Sequence, residues 1–389
     1  MLEFSFHNKV EIFFGDGVRR KIGDKLHGDF TSVLVVMGKG INEKEYSNIC
    51  SDLIRNEIKV YEIEPITSNP HLSAVRDGAI ECKKNGVELV IALGGGSAMD
   101  CAKMIAASAM SEIDPAKFLW GEKVPIERSL PTVMVPTIAA TGTELNNTAV
   151  IRDEVKKKKN SCASEAMYPK YTFIDPELAV DLPQKLIIWG AMDILSHTFE
   201  YYFNGYESIF QNNISEGIIR SVIDCIDQIM NEGFTTKVYG ELMWTASVTW
   251  GTGLTKIGRG LPDMACHTIE EGIGAYYDTH HGAGLGIITP QWMRHIDKKA
   301  PKPFARFARN IFNVNDEDDV AAADQGINDF VQWIKRIGAP QSYSELNDSI
   351  SKDTIRTISD EIFRENNGVV GRLIALNAND IFQILMNCL

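Results

Sequence analysis

Short runs of mostly apolar residues alternate with amphipathic stretches along the amino-terminal part of the chain. Runs that are apolar throughout are typical of strands buried on both faces of a parallel sheet, and the stretches between them have helical spacing. The predicted strands span residues 10–14, 32–37, 88–93, 131–135 and 171–174. This alternation predicts a doubly wound α/β domain over residues 1–180 that binds its ligand at the carboxyl ends of the strands.

The pattern changes after residue 180, where β-branched runs give way to helical periodicity. Apolar residues recur with helical spacing over 214–230, 240–249 and 324–337, and residues 191–203 contain neither glycine nor proline. A chain of 389 residues is long for one hydrophobic core, so we expect a second, all-helical domain over residues 181–389. The active site is expected in the cleft between the two domains.

Charge and cysteine content exclude several classes of function. A net charge of −13 and a pI near 5.2 argue against a nucleic-acid partner, and the four lysines at 156–159 are interpreted as a solvated loop. The seven cysteines form no C-x-x-C pair, which argues against a disulfide framework and fits a reducing compartment. With no signal-peptide pattern and no apolar run of about 18 residues, we expect a soluble cytoplasmic protein without a membrane partner.

Two regions of the carboxyl half contain candidate metal ligands. Asp193 and His197 are four residues apart in a predicted helix and therefore share one face. His267 and either His280 or His281 could complete the site, because one carboxylate and three neutral imidazoles suit Fe²⁺ or Zn²⁺ better than Mg²⁺ or Ca²⁺. The alternative for the helical pair is a hydrogen bond on the helix surface or a packed core histidine.

Two loops of the amino-terminal half contain candidate phosphate-binding residues. Gly94, Gly95, Gly96 and Ser97 follow a predicted strand and open a helix, where bare backbone lets a diphosphate approach the amides and the positive end of the helix dipole. The threonine-rich loop 137–143, after another strand, adds hydroxyl donors. A plain tight turn remains the alternative, since the run is not G-x-G-x-x-G.

Five motifs together resemble the iron-containing (group III) alcohol dehydrogenases, and within them the butanol-dehydrogenase-like NAD(P)H-dependent aldehyde reductases. They occur in the expected order and extend the resemblance from near residue 5 to at least residue 290. The motifs are Gly94-Gly-Gly-Ser97-x-x-Asp100-x-x-Lys103, Pro136-Thr137-x-x-x-Thr141-Gly142-Thr143-Glu144, Asp175-Pro-x-Leu178, Asp193-x-x-x-His197-x-x-Glu200, and His267 followed by Tyr276-x-x-x-x-His281-Gly282-x-Gly284.

The resemblance implies roles for particular residues and an activity for the whole chain. The implied metal ligands are Asp193, His197, His267 and His281, the last preferred over His280 because the family ligand precedes a glycine. The implied reaction is hydride transfer between NAD(P)H and an aldehyde or primary alcohol, in a homodimer joined through the first strands. The implied cofactor contacts are Gly95, Gly96, Ser97, Asp100, Thr137, Thr141 and Lys159.

The chain departs from the family pattern at Glu271, where many relatives have a second histidine thought to assist proton transfer. Glu271 lies one helical turn after His267, so these two residues are the candidate catalytic pair. Glu271 would act as a carboxylate relay or bind a polar substrate. The alternative is that it only supports the metal ligands.

The choice between NAD and NADP depends on the end of the second predicted strand. NAD-specific proteins have an acidic residue there that binds the ribose 2′-hydroxyl. This chain has Gly38, Lys39 and Gly40, with no acidic residue before Glu43. A lysine would attract a 2′-phosphate, so NADP is favoured and NAD is possible, although the lysine could equally be solvated.

Two other functions compete with the alcohol dehydrogenase interpretation. One is a polyol or sugar-acid dehydrogenase, or a dehydroquinate-synthase-like lyase, of the same superfamily, because Glu271 would suit a polar substrate. The other is a protein that binds metal and nucleotide without turnover. The candidate ligands and the phosphate loop give no reason to favour the second.

Overall fold

The computed structural model describes residues 1–346 and 350–389, and these divide into two compact units. The sheet unit comprises His7–Leu182 and Phe234–Thr252, and the helical unit comprises Met1–Phe6, Pro183–Gly233 and Gly253–Leu389. The change of unit after Leu182 is close to the predicted boundary at residue 180. The prediction treated both domains as continuous, and it therefore did not anticipate the two short segments that pack with the other unit.

Eight strands lie within the described residues, and six of them form one parallel sheet. The order across this sheet is β1-β8-β5-β4-β2-β3, and β6 pairs with β7 as a separate antiparallel hairpin. The strands are β1 (Glu11–Phe14), β2 (Ser32–Met37), β3 (Lys59–Glu62), β4 (Leu89–Gly94), β5 (Thr132–Pro136), β6 (Thr148–Asp153), β7 (Lys158–Ala163) and β8 (Tyr171–Ile174).

Helices form the rest of the regular structure. Those of the sheet unit are α1 to α5 and α8, and the remainder belong to the helical unit. The helices are α1 (Ile22–Leu26), α2 (Glu43–Arg55), α3 (Leu72–Asn85), α4 (Gly96–Ala109), α5 (Ala116–Leu119), α6 (Gln184–Tyr202), α7 (Ile209–Glu232), α8 (Thr236–Ala246), α9 (Ala265–Tyr277), α10 (His281–Ile296), α11 (Pro301–Ile311), α12 (Asp319–Arg336), α13 (Lys352–Glu365) and α14 (Ala378–Met386).

The parallel sheet is covered on both faces, which confirms the predicted doubly wound architecture. Successive side chains of a strand point to opposite faces, so Val33 and Val35 pack with α1 and α2. Leu34 and Val36 pack on the other face with α3 and α4. All five predicted strands are present. The strands β2, β4, β5 and β8 are buried on both faces, whereas β1 is an edge strand whose residues are half-buried or exposed.

Three strands were not predicted from the sequence. The edge strand β3 is a four-residue segment with a polar residue at each end, so it lacks an apolar run. The hairpin of β6 and β7 has polar residues at many positions, and Lys158 and Lys159 begin its second strand. The interpretation of residues 156–159 as a loop is therefore wrong for this pair, although Lys158 remains exposed.

The helical unit is helical as predicted, apart from an isolated bridge between Val370 and Leu376 in the described part of the chain. The predicted helix over 240–249 is α8 followed by a π-helical turn, Ser247–Gly251, and it belongs to the sheet unit instead. Among the described residues, no helix has both the length and the apolar character needed to span a membrane.

Candidate functional site

Helix α6 presents a carboxylate and an imidazole on one face, as the four-residue spacing predicts. Asp193 and His197 are 2% and 6% exposed, and the Nδ1 of His197 lies 3.4 Å from the Oδ1 of Asp193. Nearly every residue of α6 from Ile187 to Tyr202 is buried, so this pair lies inside the helical unit. The alternative of a surface hydrogen bond is therefore wrong.

Helix α9 adds a second imidazole to this pair. The Nε2 of His267 lies 3.7 Å from the Oδ1 of Asp193, and its ring stacks on that of His197 with centroids 4.6 Å apart. Asp193, His197 and His267 each offer one ligand atom, and these three atoms lie within 4.8 Å of one another. All three residues are buried, so they form one compact candidate metal centre.

His281, the first residue of α10, completes the predicted set of four side chains. Its Nε2 lies 3.9 Å from the Oδ1 of Asp193, and its ring centroid is 5.1 Å from that of His267. Its side chain is 23% exposed, so it is the most accessible of the four. The neighbouring His280 packs against Trp189 with centroids 4.7 Å apart, and the structure thus directs His281 rather than His280 toward Asp193.

Two buried carboxylates hold the outer nitrogens of these imidazoles. Glu200 is 4% exposed, and its Oε1 lies 2.6 Å from the Nδ1 of His267. Glu270 is fully buried and its Oε2 bonds the Nδ1 of His281. Neither residue has a predicted role, although an acidic side chain on a mostly apolar helix is a signal in the sequence for both.

Burial and neighbouring charges move the imidazole pKa values in opposite directions. Burial lowers the pKa of His197 to about 3, against the opposing effect of Asp193. Burial also acts to lower the pKa of His267, but the charges and hydrogen bonds of Glu200 and Asp193 outweigh it and raise that pKa to about 10. The three imidazoles together outweigh burial at Asp193 and lower its pKa, so this carboxylate is ionised.

These residues fit a divalent cation. Within the described part of the chain, the Oδ1 of Asp193 and the Nε2 of His267 are buried without a hydrogen-bond partner. Buried polar atoms normally have a partner, and both of these face the centre of the candidate site. A carboxylate with three imidazoles is a donor set for iron or zinc, so the unsatisfied atoms are consistent with metal binding.

Glycines allow α10 to approach α6 closely at this centre. A Cβ at Gly282 would lie 2.1 Å from the carbonyl oxygen of Trp189, and a Cβ at Gly286 would lie 3.1 Å from the Cγ of Met192. The backbone of α10 next to His281 is thus packed directly on the helix that contains Asp193. The glycine after the last candidate ligand therefore has a packing function.

The candidate nucleotide-binding loops converge at the carboxyl ends of β2, β4 and β5. Gly94 has a φ of +154°, and a Cβ there would lie 3.1 Å from the backbone nitrogen of Gly38. The amide of Thr137 donates to the carbonyl of Gly94 at 3.1 Å. A Cβ at Gly96 would lie 2.7 Å from the Cγ2 of Thr141, so the predicted Gly and Thr residues share one surface.

Other predicted contacts lie at or behind these loops. Ser97 at the start of α4 accepts a hydrogen bond from the backbone amide of Asn69, a residue that is not among the predicted contacts. Lys39 is exposed beside Gly38, and its amide donates to the carbonyl of Ile66. Lys159 lies on β7 opposite Arg152, and its charge acts on Asp100.

Asp100 fastens α4 to the loop that follows β5. Its Oδ1 accepts from the hydroxyl of Thr143 at 2.6 Å and its Oδ2 from the amide of Val150 at 2.9 Å. The neighbouring Lys103 is fully buried and donates to the Thr143 hydroxyl and to the side chain of Asn146. Asp100 and Lys103 thus hold the threonine loop in place, whether or not Asp100 also contacts a nucleotide.

Glu271 is half-buried on α9, one turn beyond His267. The carboxylate bonded to the Nδ1 of His267 is Glu200, so the structure gives the supporting role to that residue. The proposed relay or substrate role of Glu271 stays a prediction.

Family models match both halves of the chain. The model described as iron-containing alcohol dehydrogenase matches residues 9–176, and the model described as the C-terminal region of the Fe-containing alcohol dehydrogenase family matches residues 187–389. The NADH-dependent butanol dehydrogenase A of Clostridium acetobutylicum is 31% identical over 99% of both chains. The NADPH-dependent aldehyde reductase YqhD of Escherichia coli is 26% identical over 89% of both chains.

A solved structure resembles the chain over its full length. It is the NADH-dependent butanol dehydrogenase A of Thermotoga maritima, which is 35% identical and superposes with a TM-score of 0.94 over 100% of this chain and 99% of the other.

Proposed function

Because this chain belongs to the iron-containing alcohol dehydrogenase family, we propose that it is a metal-dependent oxidoreductase that transfers hydride between NAD(P)H and an aldehyde or primary alcohol. The observation that supports this most directly is the convergence of Asp193, His197, His267 and His281 in the helical unit. Two oriented carboxylates behind the imidazoles add support, because metal-binding histidines usually donate their second N–H to such a partner.

Each part of the proposed site has a separate task. Asp193, His197, His267 and His281 would hold the metal, which when bound supplies a Lewis acid for the substrate oxygen. The burial of Asp193 and His267 removes water from their ligand atoms. Gly95, Gly96 and Ser97 would bind the pyrophosphate at the start of α4, where free amides and the helix dipole favour an anion.

The family name indicates iron, whereas the ligand set is compatible with either iron or zinc. One carboxylate and three imidazoles can bind Fe²⁺ or Zn²⁺, and zinc binds the more tightly of the two at a given site. We favour iron as the resident metal, on the family description, and zinc as a substitute that the same residues can hold.

The preferred nucleotide is assigned from Lys39. The exposed lysine beside Gly38 suits a 2′-phosphate and so supports NADPH. The aldehyde reductase of Escherichia coli, which is named as NADPH-dependent, is 26% identical to this chain. The relatives named as NADH-dependent are more similar, at 31% and 32%, so NADH is the alternative. Replacing Lys39 with Asp should lower the NADPH to NADH ratio of kcat/KM about tenfold or more, as expected when an acid replaces a phosphate-binding cation.

The proposed substrates are small aldehydes and primary alcohols, on the names of the relatives. Glu271 favours a second candidate, a dehydrogenase for polyols or sugar-derived carbonyls, because a half-buried carboxylate near His267 could accept hydrogen bonds from substrate hydroxyls.

The proposal also includes a homodimer and a cytoplasmic location. The support for the homodimer is the edge position of β1, which pairs with β8, and the support for the location is that the described cysteines form no disulfide.

The test is NADPH and NADH oxidation by protein loaded separately with Fe²⁺ and Zn²⁺, with butanal, a hydroxyaldehyde and a sugar-derived carbonyl as substrates. Metal-dependent turnover of butanal is the expected result, and His267→Ala should lose both metal and turnover while keeping its helical content. Turnover of the sugar-derived carbonyl alone would favour the second candidate. Full activity of metal-free protein or of the His267→Ala variant would contradict the proposed metal centre.

A further inference from the structure

The four candidate metal ligands differ in how firmly the surrounding structure fixes their orientation. The side chains of Asp193, His197 and His267 are at most 8% exposed, and these residues lie within α6 and α9. His281 is the first residue of α10, where the chain enters the helix, and its side chain is 23% exposed. An imidazole at a helix start has more freedom than one held inside a helix, so its orientation needs a separate contact.

Glu270 makes that contact. Its carboxylate is fully buried, on α9, and its Oε2 bonds the Nδ1 of His281. This bond leaves the Nε2 of His281 directed toward the Oδ1 of Asp193, 3.9 Å away. Burying a carboxylate is costly, so its retention here requires a strong partner such as the imidazole N–H.

The space around Glu270 is formed by two glycines. A Cβ at Gly284 would lie 2.8 Å from the Cγ of Glu270, and a Cβ at Gly274 would lie 3.0 Å from its Oε1. A larger residue at Gly284 would displace the Glu270 side chain from its position beside His281. The two glycines thus leave the space between α9 and α10 that the Glu270 side chain occupies.

On these observations, and given the metal centre of the proposed function, we infer that Glu270 is a positioning residue that fixes His281 for metal binding. It selects the tautomer with the proton on Nδ1 and holds the ring so that Nε2 is the free donor. Glu270 lies behind the imidazole and acts on the metal only through His281.

The experiment compares Zn²⁺ affinity, measured by chelator competition, in wild type and Glu270→Gln. The glutamine keeps the shape of the side chain between Gly274 and Gly284 but lacks the charge. We expect the dissociation constant to rise about 10- to 100-fold, the usual effect of losing such a partner. The matched control is Glu241→Gln, the same substitution at an exposed position of α8, which should alter the constant less than about twofold.

A double-mutant cycle separates positioning from a general structural role. If Glu270 acts through His281, then Glu270→Gln should weaken Zn²⁺ binding no further when His281→Gln is already present. An equal loss of affinity in both backgrounds would overturn the inference, as would wild-type affinity of Glu270→Gln. The visible spectrum of the Co²⁺ protein should change in Glu270→Gln in the same direction as in His281→Gln.

A second variant leaves the charge in place. Gly284→Ala should displace the Cγ of Glu270, which would lie 2.8 Å from the added Cβ, and weaken Zn²⁺ binding, while adding a better helix former to α10. Unchanged affinity in Gly284→Ala would contradict the inference even if Glu270→Gln did not fold. Because these readouts are metal affinity and spectra, they can succeed when no carbonyl substrate is turned over, so the proposed reaction and this inference fail separately.

Discussion

His267 lies between two carboxylates, and this position determines when it carries a proton. Glu200 contacts its Nδ1 at 2.6 Å, and Asp193 lies 3.7 Å from its Nε2. With a pKa raised to about 10, His267 is protonated in the metal-free protein at neutral pH, whereas His197, with a pKa lowered to about 3, is neutral. His267 must therefore lose a proton before it can bind metal, whereas His197 need not.

Metal binding should release the His267 proton. Between pH 8 and 9 we expect close to one proton released from His267 per Zn²⁺ bound, and an apparent dissociation constant that falls about tenfold per pH unit as pH rises. Calorimetric titration in buffers of different ionisation enthalpy measures this release. Glu200→Gln removes one of the two carboxylate charges that raise the His267 pKa, so the proton release of this variant should be clearly smaller. Equal release in both proteins would refute the assignment.

At the scale of elements, the site depends on helices that approach each other closely. The helix α10 begins at His281, and Gly282 then lies against the backbone of Trp189 on α6. The carbonyl oxygen there belongs to the main chain and cannot rotate away as a side chain would. The close approach of α10 to α6 therefore requires that no side chain be present at Gly282.

Replacing Gly282 with Ala should separate these helices. A Cβ would lie 2.1 Å from the carbonyl oxygen of Trp189, so we expect a loss of stability of about 3 kcal/mol, measured by urea unfolding of the metal-free protein. The control is Gly217→Ala in α7, where a Cβ meets no atom within 4 Å among the described residues. That change should stabilise the protein by about 0.5–1 kcal/mol, because alanine is the better helix former. The prediction fails if the two variants have similar stability.

At the scale of the whole molecule, the two candidate sites belong to different units. The candidate metal ligands lie in the helical unit, on α6, α9 and α10, and the glycine and threonine loops lie in the sheet unit. A ligand that binds the folded state stabilises most strongly the elements that hold it. Metal and nucleotide should therefore protect different parts of the chain.

Hydrogen exchange measured by mass spectrometry can test this separation. Zn²⁺ should slow exchange most in α6, α9 and α10, and NADPH should slow it most in α4 and residues 137–150. His267→Ala should lose the effect of Zn²⁺ and retain that of NADPH. Stronger protection of α4 than of α10 by Zn²⁺ would contradict the assignment of the metal to the helical unit.

Much of the fold could be predicted because the central strands are buried on both faces. The bounds of β2 and β8 match the predicted ranges. In contrast, β3 and the β6–β7 hairpin contain polar residues, so the sequence there has no apolar run that would predict a strand. Helical spacing was enough to place Asp193 beside His197. The contributions of α9 and α10 depended on the family resemblance, and the partners Glu200 and Glu270 needed the three-dimensional contacts, because a sequence does not show which helices meet.

The segment Phe234–Thr252 has a consequence for the exchange of parts between related proteins. This segment follows residue 182 in the sequence, yet it belongs to the sheet unit. Its Gly251 packs closely on Gly142, because a Cβ at Gly251 would lie 2.4 Å from the Gly142 carbonyl oxygen. A chimera joined near residue 182 would combine this segment from one parent with the threonine loop from the other. Functional hybrids therefore require parents that are matched at both positions, or a graft that transfers the two segments together.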